Sequence, residues 1–231
     1  MKKDFKMRTG LIVGQEGLDK LKDANVIVFG VGGVGSFTCE ALVRAGVGNI
    51  TIVDFDDVDI TNINRQIPAL HSTIGRLKVD VMKERLLDIN PDLNIKAIKK
   101  LYNAETSDEI LTEDYDYVVD AIDMVTSKIT CKEKGLNIIS SMGMGNKLDP
   151  TKIVVTDIYK THTCPLAKVL RRELKDRRIK KLKVVYSTEQ PRELKERIMN
   201  GRKVTPGSVS FVPSVGGLTI ASVVVRELLE R

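Results

Sequence analysis

The chain alternates short apolar runs with longer stretches in which apolar residues recur every three or four positions. Residues 25–29, NVIVF, are a short apolar run closed by a glycine cluster, which predicts a buried parallel strand. A helix is expected from about Gly35 to Ala45, followed by a second strand, NITIVD, that ends at Asp54. In GRLKVDVMKERLLDI, residues 75–89, the pattern sets Leu77, Val81, Leu86 and Ile89 near one helical face, and Pro91 marks the end. LNIKAIKK and YDYVVDAI read as the third and fourth strands, and NIISSM, KIVVTDI and KLKVVY as three more. A helix opened by Cys164 and Pro165 lies between the last two, and SVVVRELL reads as a closing helix. The crossover TSKITCKEKGL is short. Strands alternating with helices in this way predict one α/β domain over residues 1–231, a doubly wound and mostly parallel sheet with helices on both faces. Ligands of such sheets sit beyond the carboxyl ends of the strands, at the switch in strand order. Asp54 and Asp123 both fall on that rim. The loop over residues 56–74 has no clear periodicity, and a loop of that length in a compact domain is usually functional or mobile.

Composition narrows the class. With 231 residues, 42% apolar and 29% charged, the chain can bury a sizeable core. Cys39, Cys131 and Cys164 are far apart and form no C-x-x-C pair, so neither a disulfide scaffold nor a zinc ribbon is expected. The N-terminal MKKDFKMRTG has no apolar stretch behind its basic residues, unlike a signal peptide, and no run is expected to cross a membrane. A cytoplasmic location follows as an expectation. The net charge of +6 is concentrated: residues 168–183 hold nine basic and two acidic side chains. That density suggests a site for an anionic partner, with a merely solvated helix face as the alternative.

The candidate chemistry begins at Gly30-Val31-Gly32-Gly33-Val34-Gly35, a G-x-G-x-x-G turn between a strand and a helix. Such a turn brings backbone N–H groups to a phosphate, and a carboxylate at the distance of Asp54 can accept from ribose hydroxyls. The turn makes the fold Rossmann-like but does not separate NAD from ATP. Arg65 and Lys78, on either side of the polar loop, can both reach a triphosphate, the first as a fork and the second as a point charge. Asp123 in VVDAID is placed to hold Mg2+ directly or through water. Each has a plainer alternative: a surface salt bridge for Arg65 or Lys78, a helix N-cap for Asp123. Together they favour ATP and displacement at phosphorus over hydride transfer. Cys164 at a helix start could carry a lowered thiol pKa, but a structural role is the stronger reading. His71 and His162 are isolated and are given no catalytic role.

The set GVGGVGS, VDFDDVDITNINRQ, HSTIGRLKVDVMKERLLDINP and DAID resembles the ubiquitin-activating-enzyme-like adenylating superfamily. The resemblance implies ATP held by Gly33 and Asp54 on a Rossmann-type sheet, with Asp54 on the ribose. It implies phosphate contacts from Asn62, Arg65 and Lys78, Mg2+ on Asp123, and Arg8 reaching across to the ATP site of a partner in a homodimer. Within the superfamily, IISSMGMGNKLDPTKIVVTDIYKTHTCPLAKVLRREL, KLKVVYSTEQP and PGSVSFVPSVGGL resemble the tRNA threonylcarbamoyladenosine dehydratases over nearly the whole chain. That likeness implies a nucleotide-binding half over about 1–125 and a substrate and dimer half over about 126–231. It also implies a tRNA substrate, whose threonylcarbamoyl carboxylate is adenylated and then closed into a ring. A sulfur-transfer partner protein is a further candidate partner. The segment 192–203 carries no signal.

Two other readings stand beside this one. An adenylyltransferase that activates a ubiquitin-like sulfur carrier would use the same nucleotide site, but such proteins generally carry two C-x-x-C zinc pairs. A nucleotide-gated RNA-binding module without turnover would not need the full set of Asp54, Arg65, Lys78 and Asp123. The basic segment favours RNA, with Arg171, Arg172, Lys175 and Arg178 as the residues expected to hold tRNA phosphates from one side of a helix. The apolar segment around 223–229, read as uncovered within one chain, is a second motive for the homodimer.

Overall fold

The computed structural model describes residues 4–201 and 203–231, so that the first three residues of the N-terminal stretch and Arg202 lie outside the described residues. Seven strands form one sheet in the order β3-β2-β1-β4-β5-β7-β6. They are β1 (Asn25–Phe29), β2 (Asn49–Val53), β3 (Asn94–Ile98), β4 (Tyr117–Asp120), β5 (Ile138–Ser141), β6 (Ile153–Asp157) and β7 (Lys183–Ser187). All neighbours are parallel except β6, which runs antiparallel to β7 at one edge. This is the α/β, Rossmann-like, doubly wound sheet that the alternation of strands and helices predicts.

The apolar runs form strands because both faces of the sheet are covered. In β1, Val26 and Val28 enter one core cluster, while Ile27 and Phe29 enter the other. The first cluster packs under α2 (Gly35–Ala45), α3 (Lys78–Ile89) and α7 (Phe211–Leu229). The second packs under α5 (Val125–Glu133) and α6 (Pro165–Asp176), with the short α4 (Ser107–Ile110) beside it. α3 starts three residues later than the periodicity suggests, because Gly75 takes φ 83° and Leu77 is still extended.

Two helices depart from the expectations. α1 (Met7–Asp23) precedes the first strand and had no counterpart in the sequence reading. It is kinked at Gly14, whose φ of 72° and ψ of 178° are not helical. α7 begins eleven residues before the expected SVVVRELL. It is long and apolar enough by length and composition to cross a membrane, contrary to the expectation that no run would be, and half of its apolar window is buried. Val223, Val224 and Leu228 are buried within this chain, so the closing segment is not the uncovered surface that the sequence suggested. Among the described residues the most exposed large apolar side chains lie instead on α1, where Leu11 and Ile12 are 74% and 87% exposed.

Candidate active site

The strand order switches between β1 and β4, and a cleft of ≈ 300 Å³ opens at their carboxyl ends. Its floor is the glycine turn. Gly30 takes φ 84° and donates to the Val53 carbonyl at 2.8 Å. A Cβ on Gly35 would stand 1.7 Å from the Gly30 carbonyl oxygen, so only glycine lets α2 start this close to β1. The N-terminus of α2 thereby opens toward the cleft, as an anion site requires.

Asp54, directly after β2, is fixed by two backbone donors. Val31 N–H reaches its Oδ2 at 2.8 Å and Asp56 N–H its Oδ1 at 2.9 Å. Each oxygen keeps a further lone pair for a hydroxyl in the cleft. Lys78, the first residue of α3, is 5% exposed, and its Nζ is held at 2.7 Å by Asp56 Oδ2. It does have a carboxylate partner, but it is a buried side chain in the cleft wall rather than half of a surface pair. Arg65 donates through Nη1 to the Thr61 carbonyl at 2.9 Å and to Asn64 Oδ1 at 2.7 Å. Both acceptors are neutral, so its charge is not cancelled and its other N–H groups remain for an anion.

Asp123 follows β4 in the mouth of the cleft. The helix beyond it starts at Val125 with Met124 at the N-cap, so Asp123 is not the cap considered for it. Its carboxylate carries none of the hydrogen bonds that occupy Asp54 and Asp120 among the described residues. The residue is exposed, yet protein around the carboxyl withdraws solvent and pushes its pKa above the usual carboxylate range. Lys128 and Arg65 pull against that shift, and Asp120 adds to it. One free carboxylate facing a phosphate site fits Mg2+, which is usually held by one or two carboxylates together with substrate oxygens and water. No group of three metal-ligating side chains occurs among the described residues, so the protein offers no closed metal cage there.

Gly30, Gly32, Gly33, Asp54, Arg65, Lys78 and Asp123 all line this one cleft. Two expected residues do not. Asn62 is buried and its side chain accepts from Asp59 N–H at 3.3 Å, closing a 3₁₀ turn over Ile60–Asn62. That hydrogen bond braces the loop that carries Arg65. Arg8 is exposed on α1, outside the cleft of its own chain. Cys164 is buried in the core at the N-cap of α6, as a structural residue would be.

The sequence reading missed the layer beneath Asp123. Lys128 and Asp120 are fully buried and paired at 2.9 Å. Asp120 Oδ1 also accepts from Ile122 N–H at 3.0 Å, and Lys128 Nζ donates to the Ile122 carbonyl at 2.6 Å. The other Asp120 oxygen is buried with no hydrogen-bond partner among the described residues. The pair locks the turn that presents Asp123. Its signal was a lysine on the inward face of α5, between the buried Ser127 and Ile129.

The basic segment divides in the structure. Arg171 turns inward and donates to the Thr161 carbonyl at 3.0 Å and to its hydroxyl. Arg178 lies beyond the end of α6, in a left-handed conformation with φ 58°, and so does not extend the helical face expected of it. Arg172, Lys175 and Arg178 are exposed. α6 descends from the cleft rim at Cys164 toward the opposite rim, where β7 starts, a distance of about 18 Å for twelve residues.

Fold and cleft together define a Rossmann-like nucleotide-binding protein whose site gathers cations and a free carboxylate at the phosphate end. Residues 6–230 match the ThiF family, and the chain belongs to that family. The tRNA threonylcarbamoyladenosine dehydratase of Bacillus subtilis (strain 168) is 47% identical over 238 residues, covering 96% of this chain and 94% of that protein. The E. coli tRNA N6-threonylcarbamoyladenosine dehydratase solved in complex with AMP matches with a TM-score of 0.89 at 33% identity, over 97% of this chain and 93% of that one. Its structure in complex with ATP gives 0.88 and 32% at the same coverage.

Proposed function

We propose that the protein is an ATP-dependent dehydratase of the threonylcarbamoyl group on a tRNA adenosine. The observation that carries the reading is the convergence of Arg65, buried Lys78 and Asp123 on the cleft that the glycine turn and Asp54 define. The 47% identical dehydratase supports the choice of substrate.

A threonine carboxylate is a poor electrophile because oxide is a poor leaving group. Attack of one carboxylate oxygen on the α-phosphorus of ATP replaces that leaving group with AMP and releases pyrophosphate. Arg65 and Lys78 neutralise the charge that grows on the departing pyrophosphate, and Lys78 is held in place for this by Asp56. Asp54, anchored by two backbone donors, orients the ribose. Asp123 would hold Mg2+, which when bound supplies further charge neutralisation at the phosphates. The carbamoyl oxygen then attacks the activated carbonyl of the same group, expels AMP and gives up the carbamoyl N–H proton to solvent. A tethered nucleophile has a high effective molarity, so the chain need supply no nucleophile of its own.

A homodimer and a cytoplasmic location belong to the same proposal. The dimer is supported by the exposed Leu11 and Ile12 beside Arg8, and the location by three buried, free cysteines. The alternative, activation of a ubiquitin-like sulfur carrier, has less support because the sequence contains no C-x-x-C pair. The test is to incubate the protein with ATP, Mg2+ and threonylcarbamoylated tRNA, digest the RNA and weigh the nucleoside. Loss of one water is expected. Pyrophosphate exchange that needs a carrier protein, with an unchanged nucleoside, would favour the alternative.

A further inference from the structure

Arg192 and Gly207, at the two ends of an excursion from the body of the protein, are both hydrogen-bonded to Asn146. Asn146 N–H donates to the Gly207 carbonyl at 2.8 Å, and its Oδ1 accepts from Gly207 N–H at 2.7 Å. Its carbonyl accepts from Arg192 N–H at 2.7 Å. Asn146 makes all three bonds from a left-handed backbone with φ 59°, a conformation asparagine tolerates better than most residues. The neighbouring Gly145 could carry no side chain, since a Cβ there would lie 2.9 Å from Pro206 Cβ. Gly145, Pro206, Gly207 and Ser208 all line the cleft, so the excursion is fastened to the cleft wall itself.

Its outer part is a hairpin of β8 (Met199–Asn200) and β9 (Lys203–Val204). Met199 and Val204 face each other across the ladder, and Thr205 N–H donates to the Ile198 carbonyl at 2.8 Å. These apolar side chains are not covered: Ile198 is 69% exposed, Met199 58% and Val204 41%. A two-stranded hairpin is marginal in water by itself, and this one adds nothing to the core. Lys195 and Arg197 stand exposed on the same arm, as do Glu193 and Glu196. An apolar tip with cations beside it, on an arm fastened to the wall of a nucleotide cleft, suits an occupant with flat apolar faces and phosphates, which describes a nucleic acid.

The proposed reaction supplies the need for such an arm. The carboxylate hangs on an adenosine within a folded tRNA, and that nucleoside must leave its stack to reach a cleft of ≈ 300 Å³. We infer that the arm takes its place. Ile198 and Met199 insert beside the bases that flank the extruded adenosine, and Lys195 and Arg197 lie on the adjoining phosphates. Isoleucine, leucine and methionine side chains serve as wedges between base steps in other nucleic-acid-binding proteins. The inference rests on the tRNA reading of the cleft and adds the element that opens the RNA, distinct from α6 on the flank.

The experiment compares the wild-type enzyme with Ile198→Ala/Met199→Ala and Ile198→Leu/Met199→Leu on threonylcarbamoylated tRNA. The alanine variant is expected to lose kcat/KM for tRNA by about ten- to a hundredfold, the range of one or two lost base contacts. The leucine variant, which keeps the apolar bulk, should stay within about threefold of wild type. The KM for ATP and the sedimentation coefficient should not change in either. Equal turnover by wild type and the alanine variant overturns the inference, as does an equal loss in both variants. A changed sedimentation coefficient also overturns it, because the arm would then be a contact between copies. If wild-type enzyme removes no water from the tRNA, the proposed function fails and takes the arm's role with it.

Discussion

At the scale of single residues, the proposed reaction separates groups that bind from groups that act in the chemical step. Charge on the leaving pyrophosphate grows toward the transition state, so Arg65 should matter more there than in the ground state. Arg65→Ala is expected to lower kcat by about a hundredfold or more, the typical loss on deleting one oriented charge-stabilising group, with a smaller rise in KM for ATP. An unchanged kcat with weaker ATP binding would count against this role. Asp123→Ala should lose ATP turnover while keeping the wild-type melting temperature, since its carboxylate holds no part of the fold together. Near-normal AMP release by that variant at low Mg2+ would remove its assignment. The layer beneath behaves differently. Lys128→Met leaves Asp120 charged, buried and unpaired, which costs about 3–5 kcal/mol of stability in denaturant unfolding. Adding Asp120→Asn should restore most of that stability without restoring turnover, because the turn that presents Asp123 stays unlocked. Recovery of both, or of neither, would contradict the positioning role.

At the scale of elements, legibility followed periodicity. β1 to β5, α2 and α6 stand where their apolar patterns put them, because each has one period and clear punctuation. α1 was hidden by Gly10, Gly14 and Gly17 among charged residues, with no sustained stripe to mark it. α7 was read only in part, because Pro213, Gly216 and Gly217 look like turn residues while its apolar positions fall all round the axis. A proline within the first turn of a helix is tolerated, so the helix runs through them. The local role of Asn62 was hidden for another reason: a motif gives a residue's type and spacing, but not whether its side-chain oxygen also closes a local cap. The Asp120–Lys128 pair was missed because a charged residue on a buried helical face looks like a break in the pattern. α6 shows the same limit, and the structure changes which residues belong in its test. Arg172→Glu/Lys175→Glu/Arg178→Glu should weaken tRNA binding and make the slope of log affinity against log salt shallower by roughly 2. Arg171→Glu should instead cost stability, since Arg171 is committed to Thr161. Unchanged affinity and slope in the triple variant would make this flank a solvated face.

At the scale of the whole molecule, the sheet gathers its candidate chemistry on one rim, and the most exposed large apolar side chains among the described residues stand on α1. Leu11 and Ile12 on α1 are exposed, whereas the apolar side chains of the segment around 223–229 are buried or half-buried. The wild type is therefore expected to sediment as a dimer at micromolar concentration, and Leu11→Asp/Ile12→Asp as a monomer. A monomeric wild type would remove both the dimer and the role of Arg8 across it. The same rim carries the glycine turn, Arg65, Lys78 and the base of the hairpin arm, so in the proposed function the nucleotide and the RNA nucleoside meet in one cleft. In the proposed reaction the carboxylate itself attacks the α-phosphorus of ATP. Labelling the threonylcarbamoyl carboxylate of the tRNA with heavy oxygen and weighing the released nucleotide follows that oxygen. AMP that carries one labelled oxygen is expected, transferred when ring closure expels it. Unlabelled AMP, or ADP in its place, would contradict it.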